Sequence, residues 1–306
     1  MFDTLNAKAA IFAVMRLAQE RNIDLPIIVS ATVSDNGGRL LSGQNVEAFC
    51  VSVLHANPLA LGLNCSFGAE KLKPYIAALS AAAPCLAIAY PNAGLPDNKG
   101  MYEETPETMA SRLEEYMAGG LVNIVGGCCG STPAHIAAIA ARAGKYAPRP
   151  VPAPTQKIML AGLNAHEFSA DLIPNPSGPD AEDAEENHRE FNRLLKEGDY
   201  DGAVDLVRET VEEGAALIHV RIDDSLPDAP GIGPAAAIAS FLNLALQYPD
   251  IARLPVMLDS PRWDVIEAGL KCLQGKGLVN SAGVKGSDAE SLGRLALVRA
   301  YGAEAV

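Results

Sequence analysis

Three cysteines carry the reactive chemistry of this sequence. Gly126-Gly127-Cys128-Cys129-Gly130 sets two thiols side by side in a nest of glycines, where the backbone can turn both toward one point more readily than residues bearing a Cβ would allow. Cys65 closes a second apolar run, Leu59-Ala60-Leu61-Gly62-Leu63-Asn64-Cys65. Thiolates are zinc ligands, and three of them fill all but one corner of a tetrahedral shell. If the open corner takes a substrate thiol, coordination deprotonates it near neutral pH while leaving the sulfur nucleophilic. The chemistry is then alkyl transfer to sulfur, and the three Sγ atoms should lie within roughly 4 Å of one another. The competing readings are buried or redox-active thiols. Cys50, Cys85 and Cys272 read as small buried hydrophobes.

Such a cluster needs strands that end at one mouth. The apolar run Leu121-Val122-Asn123-Ile124-Val125 leads into Cys128 and reads as a buried parallel strand. Ser131-Thr132-Pro133 then opens a helix with a hydroxyl cap ahead of a first-turn proline. Both thiol positions therefore fall at the C-terminal ends of strands, where α/β folds build their sites. Strands are expected at 25–31, 59–65, 85–91 and 121–127, with residues 1–6 as the frayed end of a fifth. Helices fall at 7–21, 46–56, 69–81, 105–118 and 133–143. Pro148-Arg149-Pro150-Val151-Pro152-Ala153-Pro154 reads as a semi-rigid linker. Alternation resumes with strands at 157–163, 216–222, 254–259 and 277–280, and helices at 186–195, 200–213, 235–247, 263–274 and 289–301. The segment 174–185, rich in Pro, Gly, Asp and Glu, reads as a loop. This βα repetition implies parallel sheets with right-handed crossovers. The fold class is α/β: two consecutive (β/α)8 TIM-barrel-type domains, each apparently incomplete at about four βα units.

The bulk properties narrow the partners. The chain has 306 residues, 49% hydrophobic and 20% charged, with a formal charge of −13. That balance excludes a nucleic-acid backbone or an anionic membrane as a natural partner. No apolar run reaches the ~18 residues of a spanning helix, and no secretory pattern opens the sequence. Six cysteines in a chain of this length do not form a disulfide scaffold, so a reducing, cytoplasmic setting is expected.

Gly126–Gly130 followed by Ser-Thr-Pro-x-His resembles the homocysteine-binding barrel of zinc-dependent homocysteine methyltransferases. So do Gly62-Leu63-Asn64-Cys65 and Tyr90-Pro91-Asn92-Ala93-Gly94-Leu95-Pro96. Phe2-Asp3-Thr4-Leu5-Asn6-Ala7-Lys8-Ala9-Ala10 and Leu41-Ser42-Gly43-Gln44 are similar in particular to the cobalamin-dependent methionine synthases. The resemblance implies that Cys65, Cys128 and Cys129 are the zinc ligands and that Asn92 helps hold the amino-acid group of homocysteine. It divides the chain into 1–146, the second half of a homocysteine barrel, a linker at 147–156, and 157–306, the first half of a pterin-binding barrel.

The second half carries Tyr248-Pro249-Asp250-Ile251-Ala252-Arg253 and Val256-Met257-Leu258-Asp259-Ser260, then Val279-Asn280-Ser281. By resemblance Asp223, Asp259 and Asn280 are folate contacts; unaided, each reads as a cap or turn residue. Two departures stand out. Gly162-Leu163-Asn164-Ala165-His166-Glu167 replaces Gly-Glu-Arg-Thr-Asn after the first strand, and His219-Val220-Arg221-Ile222-Asp223 replaces Asp-x-Asn-x-Asp. Weak or absent methyltetrahydrofolate binding is therefore expected. The cobalamin-ligand pattern Asp-x-His-x-x-Gly does not occur, so methylcobalamin would sit on a module supplied in cis or in trans. His55 and His135 read as helical, and His188 as part of an acidic, solvated stretch. The expected activity is zinc-dependent methyl transfer to the homocysteine thiol, making methionine. The alternatives are a homocysteine methyltransferase using another donor, such as betaine or S-methylmethionine, and a non-catalytic zinc- or homocysteine-binding remnant.

Overall fold

The computed structural model describes residues 1–34, 37–168, 181–223, 226, 233–280 and 284–306, and of 181–184 the backbone alone. The chain divides into two compact units, one of Met1–Ala7 with Arg16–Thr155 and the other of Lys8–Met15 with Gln156–Val306. No helix among the described residues is long and apolar enough to cross a membrane.

The chain opens with α1 (Thr4–Arg21), whose residues Lys8–Met15 count with the second unit; the first unit then runs β1 (Ile28–Ala31), α2 (Val46–Val53), β2 (Ala60–Gly68), α3 (Ala69–Ala82), β3 (Leu86–Asn92), α4 (Pro106–Ala118), β4 (Ile124–Val125) and α5 (Pro133–Ala143). Its strands form one parallel sheet in the order β1-β2-β3-β4, as apolar strands linked by helices must. Leu61 and Leu63 of β2 and Ala87 and Ala89 of β3 are fully buried with Leu72, Ile76 and Leu79 of α3 and Met109 and Leu113 of α4. Arg149, from the proline-rich stretch, is buried as well. Its guanidinium donates to Ser80 Oγ at 2.8 Å and to the carbonyls of Ser80, Ala83 and Cys85.

The expected strand at 1–6 is replaced by a helix start. Asp3 caps α1, its Oδ1 accepting from Asn6 N at 2.8 Å, which ends the extended backbone early. Met1 alone borders β1, its carbonyl accepting from Thr32 N at 2.9 Å.

The second unit runs β5 (Ile158–Ala161), β6 (Ala165–Phe168), α6 (Ala181–Glu197), α7 (Tyr200–Glu212), β7 (Ile218–Arg221), α8 (Pro234–Ala245), α9 (Pro249–Ala252), β8 (Val256–Asp259), α10 (Trp263–Leu270), β9 (Leu278–Val279), α11 (Asp288–Ala300) and β10 (Glu304–Ala305). A second parallel sheet has the order β10-β9-β8-β7. The strand expected at 157–163 does not join it. Instead β5 pairs antiparallel with β6, Ile158 opposite Phe168 and Ala161 opposite Ala165. The loop expected at 174–185 is corrected in part: 181–185 begin α6, as alanine and acidic residues at a helix N-terminus favour, whereas 174–180 lie outside the described residues.

Candidate functional site

At the C-terminal end of β2 the ladder with β3 loses register between Asn64 and Gly68. Cys65 and Ser66 there adopt φ of 55° and 61°, a left-handed conformation that costs residues with a Cβ about 1–2 kcal/mol each. Neighbouring bonds hold the turn. Ser30 Oγ donates to Asn64 Oδ1 at 2.7 Å, Asn64 Nδ2 to Thr32 Oγ1 at 3.1 Å, and Ser66 Oγ to the Val33 carbonyl.

Past β4 the backbone keeps tracking β3. Gly126 N donates to Ala89 O at 3.0 Å, Cys128 N to Pro91 O at 2.7 Å, and Ala93 N to Cys129 O at 2.9 Å. Gly127 gives room to Ser131, whose side chain would collide with a Cβ, and Gly130 sits at φ +78°. Thr132 caps α5, and His135 is structural: its Nδ1 accepts from Thr132 N at 3.2 Å and its Nε2 bonds the Glu104 carbonyl at 2.8 Å.

These paths bring the three thiols together. Sγ of Cys129 lies 3.7 Å from that of Cys65 and 3.9 Å from that of Cys128, and Cys65 and Cys128 are in disulfide contact. Tetrahedral zinc with ~2.3 Å bonds separates its sulfurs by about 3.8 Å, which two of the three edges match. All three sulfurs lie within 4.8 Å of one another, close enough to share one ion. The donor set fits zinc.

Asn92, 5% exposed, is tied into the same turn, its Oδ1 accepting from Cys129 N at 3.2 Å. Near it, Glu104 has a side chain only 4% exposed, and Arg112 Nη1 stands 3.1 Å from its Oε1 at ion-pair distance without hydrogen-bond alignment. Sequence reading did not single out Glu104, because an acidic run beside a helix start looks like a solvated cap. Cys50 is buried, and burial first, with the neighbouring Cys85 and Glu47 next, pushes its thiol up. Cys85 and Cys272 are partly buried.

In the second unit Asp259 ends β8 and Asn280 follows β9, and the two are brought together: Asn280 Nδ2 donates to Asp259 Oδ2 at 3.1 Å. The same oxygen is 3.1 Å from His219 Nε2 of β7. Burial raises the Asp259 carboxyl, but the hydrogen bond and charge of His219 outweigh it and hold the group below the usual carboxylate range. Arg221 does not fill this mouth; its Nη1 donates to Glu185 Oε1 at 2.5 Å. Asp223 follows β7, its backbone N–H donating to Asn192 Oδ1 at 3.2 Å. His188 is not solvated as expected. Its ring meets that of His219 edge-on at 4.8 Å, because α6 turns this position inward.

The stretch Gly162–Glu167, expected at this mouth, lies at the opposite end of the sheet. Leu163 N donates to Ala252 O at 2.8 Å and Ala161 N to Lys276 O at 2.9 Å, ahead of β8 and β9.

Residues 1–143 match the family described as homocysteine S-methyltransferase and residues 187–306 that described as pterin binding enzyme. Among solved structures, the chain is similar to the carboxyl transferase domain of Rhizobium etli pyruvate carboxylase with pyruvate, at 12% identity and a TM-score of 0.24, over 99% of this chain and 52% of that one. The form with 3-bromopyruvate gives 13%, 0.22, 98% and 50%. The chain thus spans about half the length of these structures. In order along the chain, one segment thus matches a homocysteine S-methyltransferase domain and the next a pterin-binding domain, the pairing of a methionine synthase-like fragment.

Proposed function

We propose that this chain transfers a methyl group to the thiol of homocysteine, making methionine, with zinc held by Cys65, Cys128 and Cys129. In this reading the donor is methyltetrahydrofolate, acting through cobalamin on a module in cis or in trans, in a reducing cytoplasm. Residues 1–146 act as the homocysteine domain, 147–156 as the linker and 157–306 as the pterin domain, each sheet belonging to a (β/α)8-type architecture. The observation that carries the reading is the convergence of three sulfurs, all within 4.8 Å, inside the segment that matches homocysteine S-methyltransferase.

Bound there, zinc would act as a Lewis acid that keeps a substrate thiol ionised near neutral pH. The chain's own residues do the positioning. Cys65 comes from one strand mouth, and Cys128 and Cys129 from another. Asn92, at the mouth between them, fixes the Cys129 turn and stands where the amino-acid end of homocysteine is received. No separate protein base is assigned. A different methyl donor is the second reading, favoured by the bond of His219 to Asp259, which occupies a carboxylate that a pterin would need.

Metal analysis of the full chain should return about one zinc, and the Cys128→Ala, Cys129→Ala double variant none. Zinc retained by that variant overturns the ligand set. Calorimetry of homocysteine binding in buffers of different ionisation enthalpy should show about one proton released, and binding indifferent to zinc removal would count against thiol activation.

A further inference from the structure

Glu104 stands in the connection between β3 and α4, and its buried carboxylate reaches the strand ends beside the thiols. Gly68 ends β2 and is the N-cap of α3. A Cβ on Gly68 would stand 3.3 Å from Glu104 Oε2 and from Gly94 Cα, and one on Gly94 3.2 Å from Glu104 Cβ. The carboxylate thus fills a notch that two glycines leave open, at the positive end of α3. Arg112 Nη1 lies 3.1 Å from its Oε1, and Arg112 Nη2 lies 3.0 Å from Glu70 Oε2 in the first turn of that helix. Neither Glu104 oxygen has a hydrogen-bond donor among the described residues. Cys65 and Ser66, just before Gly68, hold φ of 55° and 61°, a conformation that persists only where its surroundings over-determine it. Gly68 pairs with Asn92, whose Oδ1 accepts from Cys129 N, and Ala93 N donates to Cys129 O at 2.9 Å. On the backbone side, the Glu104 carbonyl accepts from His135 Nε2 at 2.8 Å, in the capping box that opens α5 after Cys129. One residue therefore braces both segments that deliver a thiol.

We propose that Glu104 is a positioning residue of the thiol site, its carboxylate holding the Cys65 turn against the loop after β3 while its backbone holds the cap that follows Cys129. The inference rests on the metal-centre reading above. A carboxylate beside Gly68 is attracted to the α3 N-terminus and to Arg112, and that attraction opposes the strain of the Cys65–Ser66 turn. Sulfurs already held together need less ordering when an ion binds, so affinity depends on the brace. Outer-shell supports of metal sites typically change affinity or activity by about 10–100-fold when removed. Glu104→Gln keeps the shape, has no hydrogen bond to break and removes the attraction.

The test loads the full chain with cobalt(II), whose ligand-field bands report the geometry of its sulfur shell. Glu104→Gln should weaken cobalt binding in a chelator competition by about 10-fold and shift those bands, with far-UV circular dichroism unchanged. Glu115→Gln, which removes an exposed partner of Lys73 at 2.6 Å, should leave affinity and bands as in the wild type. Gly68→Ala keeps the charge but sets a Cβ 3.3 Å from Glu104 Oε2. It should weaken cobalt binding in the same direction, and it decides the matter if the Gln variant misfolds. A lower unfolding midpoint with affinity and bands unmoved would make the carboxylate a purely structural one and overturns this inference alone. A wild-type chain that takes up no cobalt overturns it together with the metal centre.

Discussion

His188 illustrates how neighbours in space override neighbours in sequence. Along the chain it stands among Glu186, Arg189 and Glu190; in the fold it meets His219, and its Nδ1 has no hydrogen-bond partner among the described residues. Burial first, then the positive fields of His219 and Arg221, pulls its pKa from 6.5 to about 4. A base whose folded pKa is lowered binds fewer protons folded than unfolded between the two values, so stability rises with pH across that window. The second unit should therefore lose stability as pH falls from 6.5 toward 4, and His188→Asn should flatten the decline. Asp259, held below the usual carboxylate range, titrates beneath this window. Trp263 is the sole tryptophan, so the midpoint of urea unfolding by its fluorescence reads the second unit. An undiminished slope in the variant would sink the assignment. By contrast, the three thiols were legible in sequence, because glycine spacing and a strand-end position are local signals, whereas the inward turn of α6 is not.

Elements were legible in kind and less so in pairing. Apolar runs and caps marked the parallel strands of both sheets, yet β5 looked like one more of them. Four apolar residues do not say whether the partner strand arrives through a helix or through the turn at Gly162-Leu163-Asn164. What fixes the hairpin is a close approach far off in sequence: a Cβ on Gly275 would overlap the Ala161 carbonyl. Gly275→Ala should accordingly destabilise the second unit by about 1–3 kcal/mol, seen as a lower urea midpoint by Trp263 fluorescence. An unchanged midpoint would mean that the hairpin moves freely over this site. Arg149 makes the corresponding case in the first unit. Composition alone marked its proline-rich stretch as a linker, but the guanidinium satisfies three carbonyls around the α3–β3 turn. Arg149→Met would strand them and should cost at least ~2 kcal/mol, with faster hydrogen exchange across residues 80–86. Protection equal to that of the wild type there would refute the anchoring role.

At the scale of the whole molecule, a segment that matches homocysteine S-methyltransferase precedes one that matches a pterin binding enzyme in a single acidic chain. The thiol site keeps its three sulfurs and its supporting turns. The second mouth keeps Asp259 and Asn280 but spends them on each other and on His219. A pterin arriving there meets a carboxylate whose Oδ2 is already shared between Asn280 and His219. Each polar partner left unmatched in a buried site costs about 1–3 kcal/mol, and a site that lacks its intended partners can lose orders of magnitude in affinity. Arg221 adds little steric hindrance while it is drawn to Glu185; the obstacle is His219. Methyltetrahydrofolate should therefore fail to saturate the unmodified chain in the micromolar range, and the His219→Asp, Arg221→Asn variant should bind at least about 10-fold tighter, which is 1.4 kcal/mol. Zinc content measured on the same preparations checks that the first unit is intact. Micromolar binding by the unmodified chain would show that His219 yields the carboxylate readily, and the mouth would then be a working pterin site despite its substitutions.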